Sequence, residues 1–260
     1  MKTISLWDEV PGLIEEVPVL DAFVPENKTS PIAVIIFPGG AYMMRSAYEG
    51  EGYAKFLNSH GITAFVCQYR VAPYKFPMPL LDARRSVRYV RSHAAEYGID
   101  PEQIYVMGSS AGGHLAALCS TYFEPIDHED IDEMDTVSCV PNGQILCYPV
   151  IQLFGNGVTH FGSGKNLLGD KFAEMCEELS PNLIAGEKTP KAFIWHTFAD
   201  DGVSVINSLE YAKRLRNLNI PTEMHVYPEG WHGLGLAEDY PRVCEWSGNL
   251  IRWLKMNEKV

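Results

Sequence analysis

No run in this 260-residue chain is both apolar enough and long enough to span a bilayer. The opening residues, Met1-Lys2-Thr3-Ile4-Ser5-Leu6-Trp7-Asp8-Glu9, lack the apolar core of a secretory signal. Basic clusters interleaved with aromatics are missing too. Lys and Arg number 21 against 33 Asp and Glu, a net charge of −12. That balance argues against nucleic acid or an anionic membrane surface as a partner. The six cysteines (67, 119, 139, 147, 176 and 244) show no CxxC or zinc-type spacing. Several fall in apolar runs, so they read as reduced packing residues, and no metal or organic cofactor is expected. Internal repeats, low-complexity tracts and linkers are also missing. These absences predict a cytoplasmic protein folded as one domain over residues 1–260, and leave self-association open.

What is present is a full-sized core, with 46% hydrophobic residues, and an alternation of two patterns. Apolar runs bounded by Gly or Pro predict strands at 17–24, 32–37, 63–69, 103–107, 144–150, 192–197 and 223–227. Helix-period segments at 51–60, 79–97, 205–219 and 240–255 lie between and after them, and a short one opens at His114. This is the α/β class: a mostly parallel central sheet flanked by helices on both faces. The run 32–37 is continuously apolar, as befits a central strand buried on both sides. Two segments fit no simple βα unit. Residues 123–138 are acidic (Asp127, Glu129, Asp130, Asp132, Glu133, Asp135) but lack the Gly and Glu spacing of a calcium loop, so they read as a solvated excursion. Residues 153–186 are Gly-rich, then helix-like over 172–179, and read as a small insertion or lid beside an active-site mouth.

The chemistry begins at Gly108-Ser109-Ser110-Ala111-Gly112-Gly113, which follows a strand and opens a helix. Strand, Gly-x-Ser-x-Gly, helix is the context of a nucleophile elbow, a turn that holds its central Ser above the sheet at a helix N-terminus. Ser110 is therefore the candidate nucleophile, while Ser109 points elsewhere. A serine needs a base, the base an orienting acid, and the oxyanion its donors. In an open parallel sheet all of them belong at the C-terminal strand ends.

Eight histidines compete for the base. His60 and His93 end early helices, His128 lies in the acidic excursion and His160 in the insertion. His114 packs on the elbow helix, and His196 and His225 fall within strands, where a buried structural role is expected. His232, in Pro228-Glu229-Gly230-Trp231-His232-Gly233, directly follows the last strand and is the candidate base. The acid follows the preceding strand, where Asp200 and Asp201 stand side by side, and their position does not choose between them. The loop Phe37-Pro38-Gly39-Gly40-Ala41-Tyr42 has the small residues an oxyanion loop needs. Gly40 and Ala41 would donate their N–H groups together with Ala111. Tyr42 and Trp231 could form a shallow aromatic platform for a sugar.

These residues resemble the α/β-hydrolase superfamily, within it the esterases related to hormone-sensitive lipase, and most closely the bacterial acetyl-xylan esterase-like group. The likeness runs from about Ile32 to Leu236. Pro38-Gly39-Gly40-Ala41-Tyr42 is similar to that group's Pro-Gly-Gly-Gly-Tyr loop, with Ala41 in place of the third Gly. Tyr69-Arg70-Val71-Ala72-Pro73, Asp82 with Arg84 and Arg85, the elbow, Asn207-Ser208-Leu209, and residues 230–237 also match. His196-Thr197-Phe198-Ala199-Asp200 resembles the group's His-Thr-x-x-Asp, which puts the acid at Asp200, although Ser204 stands where Pro is usual. The resemblance implies a serine esterase acting through an acyl-enzyme on short acyl esters of carbohydrate, acetyl foremost, such as acetylated xylan or xylo-oligosaccharides. A general carboxylesterase or a feruloyl esterase would use the same triad. A serine peptidase would carry an extra domain for which this chain has no room. Ligand-binding proteins on hydrolase folds commonly lose the nucleophile or base, and this chain keeps a candidate for each.

Overall fold

The computed structural model describes residues 1–129, 132–155 and 157–258. Its strands are β1 (Lys2–Ser5), β2 (Val19–Phe23), β3 (Ala33–Phe37), β4 (Thr63–Gln68), β5 (Ile104–Ser109), β6 (Gly143–Cys147), β7 (Ala192–Thr197) and β8 (Thr222–Tyr227). The helices are α1 (Tyr53–Ser59), α2 (Met78–Ser92), α3 (Ser110–Cys119), α4 (Phe161–Leu168), α5 (Phe172–Met175), α6 (Pro181–Ile184), α7 (Ile206–Asn217) and α8 (Glu245–Met256).

The eight strands form one sheet in the order β1-β2-β4-β3-β5-β6-β7-β8. β2 runs antiparallel to both β1 and β4, and every pairing from β4 to β8 is parallel. Because strand side chains alternate between faces, the central strands feed two cores. Ile35, Phe37, Val106, Leu146 and Ile194 pack with Leu115 of α3 and with Tyr211 and Leu215 of α7. Val34, Ile36, Met107, Ile145, Phe193 and Trp195 pack with Leu57 of α1 and with Trp246, Leu250 and Leu254 of α8. Burial on both faces is why β3 reads as an unbroken apolar run.

Register aligns the strand ends that matter. Phe37 pairs with Gly108, Ser109 with Cys147, Cys147 with Trp195, and Thr197 with Tyr227. The loops leaving β3, β5, β6, β7 and β8 therefore emerge along one edge of the molecule, the carboxyl edge of the parallel strands.

Four expectations are corrected. A short edge strand, β1, precedes the first predicted one. The helix beginning near residue 79 stops at Ser92, short of 97. In residues 153–186 the main helix is α4, and the expected helix over 172–179 shrinks to the four residues of α5. The acidic segment is not simply a solvated excursion. Glu129 pairs with Arg84 and Arg88 at 2.5 and 3.0 Å, and Asp132 and Asp135 pair with Arg85 at 2.5 and 3.1 Å. These arginines are the buried basic face of α2, so the acids neutralise charge that the fold has already removed from water. Asp130 lies outside the described residues.

Candidate active site

The elbow is built by close backbone contact. A Cβ on Gly108 would overlap the Gly112 carbonyl, and one on Gly112 would overlap the Phe37 carbonyl, so both positions require glycine. The turn leaves Ser110 at φ +53°, a left-handed conformation that disfavours an L-residue by about 1–2 kcal/mol. Ser110 is itself the first residue of α3, so the helix opens on the candidate nucleophile rather than at His114. Ser109 turns the other way, with its hydroxyl 3.1 Å from the Tyr53 phenol.

Ser110, His232 and Asp200 form a hydrogen-bonded line. His232 Nε2 lies 2.7 Å from Ser110 Oγ, and Nδ1 lies 2.8 Å from Asp200 Oδ2. A carboxylate only accepts, so Nδ1 carries the proton and Nε2 is free to take one from the serine. Asp200 is anchored from two sides. Its Oδ1 accepts the Gly202 and Val203 N–H groups at 2.9 and 2.8 Å, and its Oδ2 also lies 3.2 Å from His196 Nε2. Burial alone would raise its pKa. The hydrogen bonds from His196, His232 and Val203, with the charge of His232, outweigh that and hold it well below the usual carboxylate range. Asp201 is exposed and takes no part in the line.

His196 is buried in β7, as expected, but it touches the acid of this line. Its Nδ1 is 2.8 Å from Ser208 Oγ and its Nε2 is 2.9 Å from the Val203 carbonyl, which fixes the ring beneath Asp200. His225 departs from expectation: it is half-buried on the edge strand and bonds Glu223 at 2.8 Å. His114 is fully buried. Its Nε2 donates to the Leu179 carbonyl at 2.8 Å and its Nδ1 accepts the Tyr42 phenol at 2.7 Å. Burial drives its pKa down to about 4, so it stays neutral and is no rival base.

After β3, Ala41 and Tyr42 both adopt positive φ, +55° and +57°, so the loop curls back toward the elbow. Ala41 holds a conformation that glycine would take without strain. Among the described residues, none accepts a hydrogen bond from the N–H groups of Gly40, Ala41 or Ala111. Asn166 of α4 clamps the loop by donating to the Ala41 carbonyl at 2.9 Å.

Sequence reasoning missed Glu49. This carboxylate is buried, accepts the Gly39 N–H at 2.8 Å on one oxygen, and accepts the Tyr148 phenol at 2.6 Å on the other. Tyr148 Oη in turn accepts the Gly235 N–H at 3.0 Å, and the Tyr148 ring packs edge-on against His232 at 5.2 Å. Glu49 thus ties the loop after β3 to the loop that carries His232. Burial raises its pKa, while Tyr148, Gly39 and His232 pull the other way. Nothing in Tyr48-Glu49-Gly50-Glu51-Gly52 distinguishes it from Glu51, which is exposed and pairs with Lys55.

The pocket over Ser110 and His232 holds about 340 Å³ and is lined also by Gly40, Ala41, Met43, Met44, Tyr48, Glu49 and His160. A larger hollow of about 750 Å³ opens near Phe76, Tyr122 and Met175, away from the serine. Trp231 is 61% exposed, packs edge-on against Tyr240, and does not line the pocket over Ser110. Tyr42 is 1% exposed and its phenol is spent on His114, so it cannot form part of a sugar platform. The loop's positive φ turns that ring into the core.

With the geometry in place, comparison with known proteins gives it a family. The BD-FAE family matches residues 20–215, three quarters of the chain. The chain belongs to the BD-FAE family. Its fold is that of the α/β-hydrolases. This BD-FAE chain is 35% identical over 239 residues to endo-1,4-beta-xylanase B of Butyrivibrio fibrisolvens, covering 89% of this chain and 37% of that protein. It is 32% identical over 239 residues to an acetylxylan esterase of Xylanibacter ruminicola, covering 90% and 47%. The chain thus spans between a third and a half of the length of these curated relatives. Among solved structures, an acetyl ester-xyloside bifunctional hydrolase from Caldicellulosiruptor lactoaceticus is 42% identical with a TM-score of 0.91, covering 98% of this chain and 96% of that one. Among the described residues no helix is long and apolar enough to cross a membrane.

Proposed function

We propose that this BD-FAE chain is a serine esterase that removes short acyl groups, acetyl foremost, from carbohydrate hydroxyls such as those of xylan or xylo-oligosaccharides. The observation that carries the reading is the line from Ser110 Oγ through His232 to Asp200, 2.7 and 2.8 Å long, beside N–H groups that have no acceptor among the described residues. His232 takes the Ser110 proton as Oγ attacks the ester carbonyl. The oxyanion that forms is met by the N–H groups of Gly40, Ala41 and Ala111, the last at the start of α3. Asp200 stays ionised and stabilises the imidazolium. His232 then protonates the departing alcohol, and a water activated by the same base releases the acid. The names of the xylanase, acetylxylan esterase and acetyl ester-xyloside relatives support carbohydrate acetate as the substrate. A cytoplasmic, reducing setting is part of the reading, supported by six cysteines that are all free thiols.

The test is a panel of acetylated xylo-oligosaccharides, feruloylated ones, and 4-nitrophenyl esters from acetate to octanoate. Release of acetate from the oligosaccharides, with rates falling steeply beyond butyrate, is the expected result. Equal rates on acetate and octanoate with no sugar deacetylation would make the chain a general carboxylesterase, and ferulate release would make it a feruloyl esterase.

A further inference from the structure

A second imidazole lines the pocket over Ser110, and the proposed reaction has no use for it. His160 is half-buried immediately before α4, and its Nδ1 accepts the Ser163 N–H at 3.3 Å and lies 2.8 Å from Ser163 Oγ. A ring nitrogen that accepts an N–H carries no proton, so the single proton of the neutral ring sits on Nε2. Burial and then the nearby positive charge of His232 lower its pKa, outweighing Asp200, so the ring is neutral when the catalytic base is charged. Among the described residues none bonds Nε2. The pocket's other polar side chains are largely committed. Ser110 and His232 hold each other, Glu49 is held by Gly39 and Tyr148, the Tyr48 phenol donates to the Gly233 carbonyl at 2.8 Å, and the Ser46 hydroxyl is engaged with the Tyr48 phenol. His160 therefore offers a fixed, uncharged N–H donor that the fold orients and leaves unused.

Its neighbour decides what that donor meets. His232 delivers its proton to the departing alcohol oxygen, so a group beside His232 in the same pocket faces the alcohol half of the ester rather than the acyl half. A carbohydrate alcohol has a hydroxyl on the carbon next to the ester, and a hydroxyl oxygen accepts from a neutral N–H. We propose that His160 is a specificity residue whose Nε2–H hydrogen-bonds a sugar hydroxyl adjacent to the ester, so that the site reads polyol acetates over simple alkyl acetates. This rests on the reading of the chain as a carbohydrate esterase.

The experiment pairs two substrates with His160→Asn. Asn keeps an acceptor where the Ser163 N–H needs capping but is too short to replace the Nε2 donor. Monoacetylated methyl β-xyloside supplies neighbouring hydroxyls, and cyclohexyl acetate supplies a ring of the same size without them. The expected result is a fall of about five- to tenfold in kcat/KM on the xyloside, carried mainly by KM, with cyclohexyl acetate changed less than about twofold. Equal losses on both substrates would overturn the assignment, because they would mark a residue of the fold or of the common chemistry. No loss on either would overturn it as well. A wild-type protein that cleaves cyclohexyl acetate but not the xyloside acetate would overturn the carbohydrate reading itself, and the assignment with it.

Discussion

Two carboxylates with buried side chains flank the candidate base, and they differ in the number and kind of donors that reach them. Asp200 accepts two backbone N–H groups on one oxygen and two imidazoles on the other, and is held in its ionised form. Glu49 accepts one N–H and one phenol, and burial wins, raising its pKa. The contrast teaches that burial does not decide the charge of a carboxylate here; the number and kind of donors do. One acid is equipped to balance an imidazolium. The other joins the loop after β3 to the loop that carries His232.

Removing the charge on the first acid has the largest expected effect on this pair. Asp200→Asn leaves the shape but loses the tautomer control, and kcat/KM on 4-nitrophenyl acetate should fall by about four orders of magnitude. A loss under tenfold would erase the distinction between the two acids. Glu49→Gln weakens the tie to Gly39 and Tyr148 without emptying the site. Losing an oxyanion donor outright costs about 10²–10³ in kcat, so displacing one should cost about tenfold to a hundredfold, with KM nearly constant. An unchanged kcat would reduce Glu49 to scaffolding.

The pair should also separate by pH in urea unfolding. Asp200 titrates below the ~3.9 of an unfolded aspartate, so its contribution to stability is present above that value and lost as pH falls through the folded one. Glu49 titrates above the ~4.3 of an unfolded glutamate, so its contribution is full below that value and lost as pH rises through the folded one. Relative to wild type, Asp200→Asn should therefore be least harmful in strong acid, and Glu49→Gln should gain as pH rises from about 4 to 7. Parallel curves for the two variants would contradict the opposite signs. The smallest effect belongs to the adjacent acid. Asp201→Asn should leave kcat/KM within about twofold, because an exposed side chain outside the line has nothing to lose.

How legible each acid was from the sequence follows the same division. Asp200 was one of two neighbours after a predicted strand, and only the likeness to a known motif chose it over Asp201. The elbow and His232 were legible because each follows a strand with a local signature: glycines that the backbone contacts require, and a loop directly after β8. Glu49 had none, since its meaning depends on Tyr148, 99 residues away, and on the alignment of β3 with β6 across β5. The acidic segment was misread for a related reason. Its carboxylates look solvated until α2 is seen to present Arg84, Arg85 and Arg88 to them from 41 to 50 residues away. Tyr42 was placed in the right loop and given the wrong role, because two consecutive positive φ values reverse where a side chain points. The parallel sheet was legible from its apolar runs, whereas β1, a four-residue edge strand with one buried side chain, carries almost no pattern.

We propose Ser110 as a nucleophile made reactive by His232 and Asp200 behind it. Treating the protein and its Ser110→Ala variant with a fluorophosphonate, and mapping the adduct by peptide mass, tests it most directly. The expected result is one adduct, on Ser110, with activity lost in step with labelling, and an unlabelled variant slower by a factor on the order of a million. A variant that still labels and hydrolyses, or an active wild-type protein that takes no label, would contradict it.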